Sequence, residues 1–138
     1  MGNAAIQGDL WGTGARDWAD AQEPLMRPLY AAVLKGCSPV RGALLLDVGC
    51  GSGLFCGMAR ERGLVVSGID AAEPLLAIAR ERFPGMRFDQ GEMENLPWPD
   101  ASFDVVTGNN SFQYAADPVA ALREARRVMK PDALLSIQ

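Results

Sequence analysis

Asp47, Gly49, Gly51 and Gly53 stand at alternate positions in a 138-residue chain, and their types and spacing suit a ligand held against bare backbone. A short unbroken apolar run, Ala43 to Leu46, precedes them and a helical pattern begins at Leu54, so they fall on a strand-to-helix turn. Side chains there would collide with a ligand lying on the backbone, and the first N–H groups of the helix are open to a carboxylate or phosphate. Without a ligand the same stretch is simply a tight turn. A phosphate-gripping loop needs Lys and Ser or Thr after its glycines. Here Leu54, Phe55 and Cys56 follow, which disfavours a nucleoside triphosphate. The dinucleotide fingerprint, read from Gly51, places Cys56 where Gly or Ala belongs. Asp70 lies 17 residues beyond Gly53 and ends a second buried run that starts at Leu64. An acid delivered to that rim either accepts from both hydroxyls of a ribose or caps the next helix. Glycine loop and acid together favour a ribose-bearing ligand.

Composition narrows the chemistry further. The chain has no histidine, which removes the usual general base and the commonest metal ligand, so no metal site is expected. Three cysteines form no CxxC, and neither a secretory leader nor a membrane-length apolar run is present; a reducing, cytoplasmic setting is the expectation. A formal net charge of -4 argues against coating a nucleic-acid backbone. Arg123, Arg126, Arg127 and Lys130 are the one basic cluster, and read as a solvated helix face.

The positioning elements follow from the patterns around these residues. Residues 1–14 are glycine-rich and read as a loose arm. Ala15 to Lys35 reads as one or two helices interrupted at Pro24 and Pro28, so residues 1–40 form a helical cap on a core of residues 41–138. Within the core, unbroken apolar runs mark strands at 43–48 and 64–70, with shorter ones at 86–89, 103–108 and 133–137. Helices are predicted over 54–62, 74–82 and 118–130, the last opened by Asp117 as N-cap and Pro118 at its first position. Alternation of strand and helix predicts one α/β domain: a Rossmann-like three-layer sandwich on a mainly parallel sheet of about five strands.

Taken together, these motifs resemble the class I S-adenosylmethionine-dependent methyltransferases, in particular the small-molecule branch. Leu44 to Gly53 is similar to that family's first motif, Gly68-Ile69-Asp70 to its acidic second motif, and Gly91 to Asp104 to its next conserved region. Lys130 to Leu135 resembles its late turn, with Asp132 and Ala133 replacing two glycines. Trp11 to Glu23 resembles, more loosely, a helix that caps the cofactor, with Trp18 as core or lid. The resemblance implies S-adenosylmethionine as cofactor, S-adenosylhomocysteine as product and a small-molecule acceptor. It assigns Gly49, Gly51 and Gly53 to the methionine tail and Asp47 to its amino group, directly or through water. Asp70 would hold the ribose, with Leu75 close by, and Glu92 and the Met93 backbone the adenine. The Asn109 backbone carbonyl would meet the amino group, while Phe112, Gln113 and Tyr114 would face the reacting methyl. No catalytic base is identified. Family members continue with antiparallel strands that are lacking here, so the chain reads as a truncated form. The alternative is a non-catalytic cofactor-binding or structural module that forms a homodimer through its exposed sheet edge.

Overall fold

The computed structural model describes residues 2–138. Its centre is a sheet of five strands: β1 (Leu44–Val48), β2 (Val65–Asp70), β3 (Arg87–Gln90), β4 (Phe103–Gly108) and β5 (Met129–Ile137). They lie in the order β3-β2-β1-β4-β5 and every neighbouring pair is parallel. Chain direction around β1 reverses its order of travel, first toward β2 and β3 and then back to β4, which opens a crevice at the carboxyl ends of β1 and β4.

Helices cover both faces, as the unbroken apolar strands require. On one face α3 (Arg27–Cys37), α4 (Leu54–Glu61) and α5 (Glu73–Arg82) close over Leu45, Val66 and Val105. On the other, α6 (Pro118–Val128) sets Ala121, Ala125 and Val128 against Leu46, Val106 and Phe103. Successive residues Leu45 and Leu46 thus serve opposite cores, following the two-residue period of a strand. Asp117 caps α6 as its sequence indicates, accepting from the Val119 and Ala120 amides at 3.0 Å each.

Three elements depart from the sequence reading. The expected loose arm contains α1 (Ala4–Gly12), a helix that buries none of its residues. It has no apolar stripe to reveal it; it docks by glycine, with a Cβ at Gly8 falling 2.5 Å from the Ala71 carbonyl oxygen. The segment from Ala15 to Cys37 is helical throughout but changes pitch: α2 (Ala15–Asp17), a wide π turn over Trp18–Gln22, and a tight 3-10 turn over Glu23–Met26 ahead of α3. Pro24 and Pro28 fall where that pitch changes. Finally, β5 begins at Met129, before the predicted 133, because Phe103 pairs with Met129 while Val105 pairs with Leu134. The Lys130–Ala133 stretch is therefore a bulge within the strand, the setting in which a sheet tolerates Pro131.

The basic cluster resolves differently in part: Arg123 and Arg126 are exposed, as a solvated helix face requires, but the other two members are tied down. Arg127 is tied to Glu124 and Asp100 and to the Leu96 and Trp98 carbonyls, so it clamps the 96–100 loop onto α6. Lys130 pairs with Asp104 at 3.0 Å. No helix among the described residues is long and apolar enough to cross a membrane.

Candidate functional site

At the carboxyl ends of β1, β2 and β4 lies a cavity of about 360 Å³. Gly49, Gly51, Asp70 and Asn109 form its floor and sides, while Gln7, Trp11 and Trp18 come from the N-terminal cap. Leu75, Glu92 and Met93 complete the end beneath β2 and β3. Gly49 has φ 77° and a Cβ there would overlap that of Ser111, so the loop requires glycine on both conformational and steric grounds. Gly51, with φ 54°, faces open space between Trp18 Nε1 and Glu23 Oε1, at 3.8 and 4.0 Å from where its Cβ would stand. Two residues of the sequence-derived set lie off the lining. Gly53 turns toward Ala79, Phe83 and Phe88 and lets α4 pack closely on α5. Asp47 is buried beneath the floor, 2% exposed.

Asp47 is held rather than paired. Its Oδ1 accepts from the Thr107 hydroxyl at 2.7 Å and the Asn109 side-chain amide at 3.3 Å, and the Cys56 thiol makes a weak contact with Oδ2 at 3.9 Å. Burial pushes its pKa up to about 7 against those two hydrogen bonds, helped by the negative charges of Asp70 and Glu23. Beside it, Asn109 Oδ1 is buried and has no hydrogen-bond partner. A buried acceptor left open next to a buried carboxylate is the kind of exception that a ligand donor explains.

Asp70 sits at the tip of β2. Its Oδ2 accepts from the Gly51 amide and its Oδ1 from the Ala72 amide, both at 2.8 Å. Burial raises its pKa although the Ala72, Gly51 and Ala71 amides oppose the shift. Each oxygen keeps a lone pair for a further donor. The carboxylate thus stiffens the glycine loop and still presents acceptors at the rim.

Glu23 is the residue that sequence reasoning missed. It is 2% exposed, and its carboxylate accepts from the Ser52 hydroxyl, from the Leu54 amide at 3.3 Å and from Arg82 at 3.1 Å. Burial raises its pKa, offset by these same contacts. An acid directly before Pro24 has a local explanation as a helix-start residue, which hides its long-range role. Over the cavity, Trp11 meets Trp18 and Tyr114 edge-on, at 5.7 and 5.5 Å between ring centres. Gln113 and Tyr114 line the cavity, but Phe112 packs into the core beside α6.

A parallel α/β sandwich with a glycine turn after β1 and an acid at the tip of β2 defines a nucleoside-binding fold. Residues 46–137 match the family described as methyltransferase domain, and the chain belongs to that family. Over 116 residues it is 37% identical to the malonyl-(acyl-carrier protein) O-methyltransferase of Serratia marcescens, covering 84% of this chain and 46% of that protein. It is 38% identical over 88 residues to the demethylmenaquinone methyltransferase of Chlorobaculum parvum, covering 63% of this chain and 36% of that one. Among solved structures, the (4+2)-cyclase SpnF aligns with TM-score 0.74 and 32% identity, over 80% of this chain and 43% of its own. The chain therefore spans about half the length of the curated relatives it matches.

Proposed function

We propose that the cavity binds S-adenosylmethionine and that the chain is the cofactor-binding part of a methyltransferase acting on a small molecule. One observation carries the reading: the unpartnered Asn109 Oδ1 beside the Asp47 carboxylate, a pair of buried acceptors fit for an ammonium group. Asn109 holds the amino group with the buried Asp47 carboxylate behind it, Gly49 and Gly51 leave room for the methionine tail, and Asp70 accepts from the ribose hydroxyls. Leu75, Glu92 and Met93 surround the adenine. Gly53 acts indirectly, by letting α4 approach α5. When bound, the cofactor supplies a methyl group already activated by its sulfonium. The chain's own task is then to align the acceptor and exclude water, for which Trp11, Trp18 and Tyr114 form the wall. Relatives named as malonyl-(acyl-carrier protein) O-methyltransferase and demethylmenaquinone methyltransferase support a small-molecule acceptor.

Calorimetric titration with S-adenosylhomocysteine, with NAD as control, tests this directly. Saturable binding of the former alone is the expected result; binding of NAD alone, or of neither, overturns it. A second reading has its own support. SpnF, a (4+2)-cyclase by name, shares this fold, so the fold is not confined to methyl transfer. Under that reading the chain binds the cofactor without turnover, and β5, last in the sheet order with Leu134 and Ile137 exposed, pairs with a second copy. Labelled-methyl transfer assays and light scattering separate the two.

A further inference from the structure

The N-terminus of α4 is where a glycine loop of this fold ordinarily offers its amides to an anion. Here that position is filled from within the protein. Gly53, the residue that opens α4, provides no side-chain cap, and the Leu54 amide donates instead to Glu23, which arrives from the N-terminal cap. Ser52, at the same helix start, donates to the other Glu23 oxygen. The carboxylate is held there by Arg82, which also bonds the Ala19 carbonyl and Asp20 and so fixes the cap segment around it. Glu23 Oε1 lies 4.0 Å from the Cβ position of Gly51, and Gly51 is hydrogen-bonded to Asp70. Asp70 and this carboxylate thus both lie close to Gly51, one bonded to its amide and the other near its Cβ position.

The rest of the lining has the same sign. Glu23, Asp70, Glu92 and Glu94 line the cavity, with Asp47 beneath it, and among the described residues no Lys or Arg does. An anion entering this space meets fixed negative charge, which a phosphate cannot offset but a zwitterionic amino-acid tail offsets with its own ammonium group.

We propose that Glu23 is a specificity-determining residue: its carboxylate occupies the anion position at the start of α4, closing the glycine loop to phosphate and leaving it to a tail that brings a positive charge. This rests on the cofactor reading above and adds to it a reason to expect that an adenine dinucleotide is refused. It also gives the cap a role in choosing the ligand, since Glu23 belongs to the cap and not to the loop.

The test compares three probes on the same chain by calorimetry: adenosine, ADP and S-adenosylhomocysteine. In the wild type, ADP binds more weakly than adenosine, because its phosphates meet Glu23. In Glu23→Gln, which keeps the shape and leaves Arg82 paired with Asp20 alone, the ADP-to-adenosine affinity ratio rises about tenfold, the scale of one charge at a helix terminus. A merely structural role would lower all three affinities together and leave that ratio unmoved. The proposal fails if ADP binds the wild type more tightly than adenosine, a result that stands even if the variant does not fold. It fails also if a folded variant keeps the wild-type ratio. Absence of S-adenosylhomocysteine binding in the wild type overturns the cofactor reading instead, so the two failures are distinct.

Discussion

The Gly51 amide donates to Asp70 Oδ2 at 2.8 Å, so the acid at the end of β2 fixes the glycine turn at the end of β1. Two motifs separated in the chain are in this way one rigid unit. Asp70→Ala removes both the loop anchor and the acceptor proposed for the ribose. Binding of S-adenosylhomocysteine should weaken by roughly 1.5–3 kcal/mol, the scale of a charge-assisted hydrogen bond. Unchanged affinity in calorimetry on a folded variant would refute the ribose role.

Asp47 makes stability depend on pH. Its folded-state pKa is about 7 against an ordinary 3.8, so the native protein holds a proton that the unfolded chain releases. Below the ordinary value both states are protonated and Asp47 contributes no difference. Between that value and about 7 the native state binds more protons, so its stability falls as pH rises, and the full cost is present above 7. Asp47→Asn removes this dependence. Thermal melts should show the variant gaining on the wild type from pH 5 to pH 8.5; parallel profiles would sink the assignment.

Asp117→Ala deletes a cap that accepts two amide hydrogen bonds at 3.0 Å. A loss of about 1 kcal/mol in urea unfolding is expected. A change within experimental error would mean that water replaces the side chain without penalty.

α1 should respond locally. A methyl group at Gly8 cannot fit 2.5 Å from the Ala71 carbonyl, and α1 buries nothing that the core depends on. Gly8→Ala is expected to lift α1 off, speeding proteolysis within residues 4–12 while the main melting transition moves by no more than about 2 °C. A large fall in that transition would show that α1 is integral to the core.

How much of this was legible in the sequence varies with the range of the interaction. The central strands were readable because a strand buried on both faces is apolar without interruption, as Leu44-Leu45-Leu46 is. Gly49, Gly51 and Asp70 were readable because a strand-to-helix turn places them by local geometry. Glu23 was not, since its partners Ser52, Leu54 and Arg82 lie 29 to 59 residues away. Nor was α1, which docks through Gly8 and Trp11 and carries no hydrophobic period. The membership of Arg127 in a clamp was hidden for the same reason: its partners at Leu96 and Trp98 become neighbours only once α6 crosses the sheet.

The strand order also sets a sequence of assembly. Leu45 of β1 pairs with Val66 on one side and Val105 on the other, so its second partner is reached only after a loop about three times longer has closed. The β1–β2–β3 half carries the glycine turn and Asp70, whereas Asn109 and Tyr114 follow β4. The end of the cleft at Asp70 should thus be complete before the end at Asn109 and Tyr114 exists. Pulse-labelled hydrogen exchange would register this as β1–β2 amides gaining protection ahead of those joining β4 and β5; the reverse order would show that nucleation lies on the other side.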